Sequence, residues 1–230
     1  MDHGRWKDRL WSIVHRPSSK FMNFFGKRVL FLGAHPDDIE IGCGALIHNI
    51  VNKTEILCVT LSDNQKNPDL KKVKNEHLRS MKVLGVPEEK VVFGPFTTRI
   101  FHDSRQDILE YFLKLRKEFK PDLIFTHSKQ DVHQDHNTMT DEALRAFRGI
   151  TLLGFDVVRS SYGFFPHFLI EVTEEDANKK IEALACYDTY QDRYYFNSEL
   201  TRSIMVRHGA LAERPFAEGF DILRIVGTFE

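Results

Sequence analysis

Val29-Leu30-Phe31-Leu32-Gly33-Ala34-His35-Pro36-Asp37-Asp38-Ile39-Glu40 runs from four apolar residues straight into a histidine and three carboxylates. An uninterrupted apolar run of this length reads as a strand buried on both faces, the habit of parallel sheets. The polar residues that follow then sit at the carboxyl end of that strand, where a helix begins. Outward from this point the chain repeats the same figure. Runs at 29–32, 55–60, 91–93, 123–126, 168–172 and 222–226 read as strands. Stretches of helical period lie near 40–51, 70–85, 105–119, 136–148, 175–186 and 198–208. Gly85 and Pro87 close the second helix, and Pro121 stops the third before an apolar run. The alternation predicts an α/β fold: a Rossmann-like, doubly wound, mostly parallel sheet with helices on both faces.

In such a sheet the first three strands run outward and the fourth returns beside the first, leaving a ligand crevice between them. The loops after Leu32 and after Thr126 should share that crevice. The second loop reads Asp131-Val132-His133-Gln134-Asp135-His136-Asn137. If the segment is helical from His133, positions i and i+3 put both imidazoles on one face. Acidic residues at a helix start also suit an N-cap, with Asp37 or Asp38 on free amides. A histidine-and-carboxylate group at each of two converging loops nevertheless points to a metal. Two histidines and a carboxylate are the ligand set of an open catalytic zinc site. No Cys-x-x-Cys pair is present for a closed structural site, and an all-oxygen site needs no histidine. Spacing alone leaves open which candidates ligate. Neighbours such as Asp37 and Asp38 point different ways, so one is expected on the metal and the other on water as general base.

Composition narrows the classes. The chain has 230 residues, 42% of them hydrophobic, enough for one sizeable core. Lys and Arg number 32 against 33 Asp and Glu, a formal net charge of −1, which argues against nucleic acid as the main partner. Three separated cysteines, Cys43, Cys58 and Cys186, fit a reducing compartment, so the expected location is cytoplasmic. Residues 1–27 carry six Lys or Arg against two Asp and read as a basic amphipathic extension without a signal-peptide core or membrane span. Residues 28–230 are then a single domain. The run Lys66 to Lys74 reads as a solvated helix face. Cys43, between Gly42 and Gly44, reads as packing rather than as a nucleophile.

The two polar clusters resemble the A-H-P-D-D-x-E and H-x-D-H signatures of the zinc-dependent N-deacetylases of the N-acetylglucosaminylphosphatidylinositol deacetylase family, also called LmbE-like. Both stand intact, as Ala34 to Glu40 and His133 to His136. Asn75 to Arg79, Leu84-Gly85, Pro121 to Leu123, Lys180 to Leu184 and Ala217 to Phe220 look like family segments as well. The resemblance implies an LmbE-like fold and zinc held by His35, Asp38 and His136, with Asp37 as general base. It implies that a protonated His133 supports the oxyanion and that Asp135 orients the His133 imidazole. Iron or another first-row divalent ion also suits such ligands. The implied reaction removes the N-acetyl group of an N-acetylglucosamine-type sugar or sugar conjugate and releases acetate.

Two departures bear on the substrate. Val73 stands where many relatives carry arginine, and Thr189-Tyr190 where many carry Ser-Gln. Arg99 is a candidate for an anionic substrate group, whereas Arg105 is expected to pair with an acid. The segments Phe164 to His167 and Tyr187 to Phe196 are aromatic enough to stack on a sugar. Rival readings are a metal-dependent hydrolase of another amide or ester bond, a nucleotide-binding module and an inactive partner subunit. The nucleotide module lacks G-x-G-x-x-G, and its phosphate loop would carry three carboxylates. The sequence is compatible with a homo-oligomer.

Overall fold

The computed structural model describes residues 26–227. The basic extension expected at 1–27 lies almost wholly outside them. Seven strands form one sheet in the order β3-β2-β1-β4-β5-β7-β6. They are β1 (Arg28–Gly33), β2 (Glu55–Thr60), β3 (Val91–Phe93), β4 (Leu123–His127), β5 (Thr151–Phe155), β6 (Phe168–Glu171) and β7 (Ala217–Arg224). The first five run parallel, and β7 lies antiparallel between β5 and β6. Among the described residues the α-helices are α1 (Asp38–Ile50), α2 (Val73–Val83), α3 (Arg105–Phe119), α4 (Gln134–Ala146), α5 (Glu174–Leu184) and α6 (Ser198–Leu211). Among the described residues no helix is long and apolar enough to cross a membrane.

The opening apolar run behaves as a two-faced strand. Val29 and Phe31 face a core with Ile39, Cys43 and Leu46 of α1, Met81 of α2 and Ala183 of α5. Leu30 and Leu32 face the opposite core, with Ile108 and Phe112 of α3 and Met139 and Ala143 of α4. Full burial of each such Leu, Ile or Phe contributes about 1.5–3 kcal/mol. Helix α1 packs close to the sheet because position 42 has no side chain; a Cβ on Gly42 would collide with the Phe155 ring. Cys43 is buried in this core, as packing requires.

Expected and observed elements differ most at the carboxyl-terminal edge. The strand β5 was not anticipated: Thr-Leu-Leu-Gly-Phe is short, and its Gly154 reads as a break. In the fold that glycine permits close approach, since a Cβ there would come within 2.8 Å of the Ser128 Cα. The last strand spans Ala217–Arg224 rather than 222–226. Its early residues are hard to recognise because Glu218 is buried. The Glu218 carboxylate accepts from Lys180 Nζ at 2.6 Å and from the amides of Ala45 and Leu46.

The return of β4 to the side of β1 creates the switch point. Phe31 pairs with Phe125, so Gly33 and His127 end their strands side by side and open into one crevice. The loops beyond them carry the two polar clusters.

Candidate active site

At the carboxyl end of β1 the backbone turns sharply. Asp37 adopts φ 109°, a region that favours glycine and costs a non-glycine residue on the order of 1–3 kcal/mol. The Asp37 carboxylate makes no capping bond to α1, so the simple N-cap reading fails for it. Asp38 turns inward, and its Oδ2 accepts the His35 amide at 2.8 Å. The two aspartates thus separate, as neighbours at a helix start must.

The second loop supplies its side chains differently from expectation. His133 is the N-cap of α4, with extended backbone, and the helix begins at Gln134. The His133 Nδ1 accepts the Asp135 amide at 3.2 Å. Its ring stacks on His136 with centroids 4.3 Å apart, so the two imidazoles share a face through a cap rather than a helical turn. With Nδ1 occupied as an acceptor, the neutral ring carries its proton on Nε2. Burial, then the His35 charge, lower the His133 pKa. In this resting geometry His133 is a neutral ring with its donor on Nε2.

Asp135 also departs from its expected role. Its Oδ2 lies 2.9 Å from His35 Nε2 and accepts the Arg99 amide at 2.5 Å, so it orients His35 rather than His133. The counterpart for His136 is Asp131, whose Oδ2 lies 2.7 Å from His136 Nδ1. The hydroxyls of Ser160 and Ser161 converge on the same carboxylate oxygen. Carboxylates that fix the far nitrogen of an imidazole are the usual support of a metal-binding histidine.

These outer bonds decide where the inner lone pairs point. With His35 Nε2 donating to Asp135 and His136 Nδ1 donating to Asp131, the neutral rings leave His35 Nδ1 and His136 Nε2 both as acceptors. They face each other at 3.2 Å. Asp38 Oδ2 lies 3.5 Å from each of them. Three electron-pair donors crowded around one point repel unless a cation or proton sits among them. Burial works against a charged His35, yet its bonds to Asp135 and Asp38 prevail and carry its pKa up to about 9, so a proton on His35 Nδ1 answers this crowding at neutral pH and a metal would displace it. Burial and the neighbouring His127 bring His136 down to about 4. Burial opposes ionisation of Asp38, but His136 and His127 hold its carboxyl well below the usual range. A neutral imidazole and an ionised carboxylate are the protonation states a metal needs. For Asp37, burial and the adjacent Asp38 charge both push the carboxyl pKa well up.

His127, at the end of β4, escaped notice in the sequence. It is fully buried, stacks on His136 with centroids 3.8 Å apart and lies 3.3 Å from Asp38 Oδ2. Its Nε2 accepts the Ala34 amide at 3.1 Å, which makes it a clamp between the two loops. The donor atoms of Asp38, His127 and His136 lie within 4.8 Å of one another, as do those of His35, His133 and His136. The only sequence signal was a histidine closing an apolar strand four residues before Asp131.

The crevice opens as a cleft of about 670 Å³ lined by His35, Asp37, Asp38, His133 and His136. Arg99 lines it too, in a loop where its backbone adopts φ 73°. Arg105 pairs with buried Glu142 at 2.6 Å, away from the cleft. Lys66 also lines the cleft and donates to Thr97 Oγ1, so the run from Lys66 begins as a site loop; α2 starts only at Val73. Of the aromatic segments, Tyr190 and Tyr195 reach the cleft. The two departures from the resembled pattern meet each other: Val73 packs with Tyr187 and Tyr190 in a small apolar cluster, and Thr189 donates to Glu76 Oε1.

Comparison with known proteins agrees with this arrangement. The GlcNAc-PI de-N-acetylase family, PIG-L, matches residues 30–147, just over half of the chain and both polar loops. YaiS of Escherichia coli K12, named an uncharacterized deacetylase, is 28% identical over 166 residues, covering 69% of this chain and 89% of YaiS. The N,N'-diacetylchitobiose deacetylase of Pyrococcus horikoshii superposes with a TM-score of 0.71 at 19% identity, covering 97% of this chain and 94% of its own. GalB, the 4-carboxy-2-hydroxymuconate hydratase of Pseudomonas putida KT2440, gives 0.70 at 17% identity, with 89% and 99% covered. One fold thus hosts a deacetylase and a hydratase, and the chemistry has to be read from the residues of the site.

Proposed function

Because the chain belongs to the GlcNAc-PI de-N-acetylase (PIG-L) family, we propose that it is a hydrolase that removes the N-acetyl group of an N-acetylglucosamine-type sugar or sugar conjugate. The observation that carries this reading is the facing pair of bare nitrogens, His35 Nδ1 and His136 Nε2, with Asp38 Oδ2 beside both. That donor set fits a divalent metal, with zinc the first candidate for two imidazoles and a carboxylate. When bound, such a metal supplies a Lewis-acidic centre that lowers the pKa of water to about 7.

The residues of the chain divide the remaining work. Asp37 lines the cleft and is raised toward the range of a general base by burial and by Asp38. It takes the proton of the attacking water and passes it to the departing amine. His133 lines the cleft with its Nδ1 occupied, which leaves its Nε2–H as the donor to the oxyanion of the tetrahedral species. Asp135 and Asp131 hold His35 and His136 in the tautomers that expose their lone pairs. The C–N bond breaks, and acetate and the free amino sugar leave.

The test combines metal analysis of the purified full chain with acetate release from N-acetylglucosamine derivatives, before and after chelation and zinc return. Stoichiometric metal with chelator-sensitive acetate release is expected. Bound metal without acetate release from any N-acetylated sugar overturns the assigned reaction, and failure to bind any divalent ion overturns the site.

A further inference from the structure

At the rim of the cleft, two arginines meet on one phenol. Arg193, between the short turns Asp188–Tyr190 and Tyr194–Phe196, donates through Nη1 to the Tyr195 hydroxyl at 2.7 Å. Arg159, from the loop after β5, donates to the same oxygen at 3.3 Å. Arg193 lies 4.0 Å above the Tyr190 ring, which fixes the plane of its guanidinium. Arg159 lies 5.4 Å from the Tyr195 ring. All four residues line the cleft.

Two guanidinium groups sharing one neutral acceptor repel each other. Among the described residues neither forms an ion pair with a carboxylate, although ion pairs take up other arginines of the chain, such as Arg105 and Arg214. Burial pushes the Tyr195 phenol up, so it stays neutral and cancels none of this charge. Each guanidinium carries five N–H donors in a rigid fork, and Tyr195 occupies one from each. The others are left beside the cleft in the planar geometry that suits carboxylate or phosphate oxygens.

We infer that Arg159, Arg193 and Tyr195 form an anion subsite, and that the natural N-acetylated substrate carries a phosphate or carboxylate group that binds there. The inference deepens the deacetylase reading and rests on it for the acetyl group alone. Arg193 and Arg159 also lie near enough to Asp37 to influence its charge. If they served only as counter-charge to Asp37, their loss would depress neutral and anionic substrates alike. A subsite makes the loss selective.

The experiment compares matched substrates on the zinc-supplied full chain: the methyl glycoside of N-acetylglucosamine, its 1-phosphate and its 1-O-carboxymethyl glycoside. We expect kcat/KM at least about tenfold higher for an anionic member than for the methyl glycoside. Which member gains separates phosphate from carboxylate recognition. In the Arg159→Gln/Arg193→Gln double variant the anionic-to-neutral ratio should fall to near one, and each single variant should give an intermediate ratio. A wild-type ratio near one, or a ratio that survives the double substitution, overturns the subsite. Calorimetric titration with glucosamine 1-phosphate and its carboxymethyl counterpart, which have no acetyl group, keeps the test independent of catalysis. Binding to the wild type that is lost in the double variant supports the subsite even if no substrate is deacetylated. Absence of binding to the wild type by both compounds overturns it.

Discussion

The segment Ala34 to Glu40 feeds two clusters of the same residue types, and they differ in what their nitrogen atoms face. In the first, His35 and His136 each give one nitrogen to a carboxylate and hold the other bare toward Asp38 and the cleft. In the second, Glu40 Oε1 lies 2.9 Å from His77 Nδ1 and accepts the Tyr187 hydroxyl at 2.5 Å, while His77 Nε2 meets Thr60 Oγ1 at 3.3 Å. Glu40, His77 and Thr60 are fully buried, and every nitrogen of that cluster has a partner. A histidine beside a carboxylate therefore does not mark a site by itself. An imidazole whose outer nitrogen is anchored and whose inner lone pair is unmatched at the edge of a cleft does.

Removing a member of the open cluster should have the largest effect. His136→Ala takes away one of the two facing lone pairs, so we expect stoichiometric metal to be lost and acetate release to fall below detection. A variant that retains full metal content would remove His136 from the ligand set and break the comparison. Asp37→Asn comes next. It should keep its metal and lose about 10² to 10⁴ in kcat, the scale of a missing general base. Loss of metal in that variant would show that the two aspartates have exchanged roles.

Asp131→Asn probes the anchoring of an imidazole. The carboxylate oxygen on His136 Nδ1 also receives Ser160 and Ser161. Its replacement should weaken metal affinity about 10- to 100-fold, measured by competition with a chromogenic chelator. Unchanged affinity would mean that the outer bond does not set the tautomer.

Much of this architecture was legible in the sequence, for reasons that differ by region. The parallel half of the sheet shows itself through two-faced apolar runs such as Val29 to Leu32, and the switch point follows from right-handed crossovers together with the doubly wound strand order. The antiparallel edge does not: Gly154 reads as a breaker and buried Glu218 as a surface charge, because their roles depend on Ser128 and Lys180, distant in sequence. The two polar loops were found by motif and spacing. Their internal wiring was not. Asp135 serves His35, one hundred residues away, and Asp131 serves His136, a partition that spacing along one loop cannot reveal. His127 was hidden because a histidine at a strand end is ordinary until its neighbours are known; Arg193 and Tyr195 stand beside the Thr189-Tyr190 departure in the sequence, but their pairing with Arg159 does not show there.

The closed cluster supplies the smallest effect and the sharpest contrast. Tyr187→Phe removes one hydroxyl from Glu40 while leaving the aromatic ring stacked on Tyr190 and packed against Phe196. Among the described residues Glu40 Oε2 has no partner, so Oε1 carries the hydrogen bonds that stabilise this buried side chain, and the phenol is the shorter of them. Loss of this buried hydrogen bond should cost about 1–1.5 kcal/mol of stability, read from denaturant unfolding. Tyr187 does not line the cleft, so metal affinity and kcat should stay within about twofold of the wild type, a range that corresponds to less than about 0.5 kcal/mol. The two readouts together distinguish the clusters. Substitution at Asp131 should change metal affinity more than stability, and substitution at Tyr187 the reverse. If Tyr187→Phe weakened metal binding as much as Asp131→Asn, Glu40 would be part of the site's own support, and the division between an open and a closed cluster would fall.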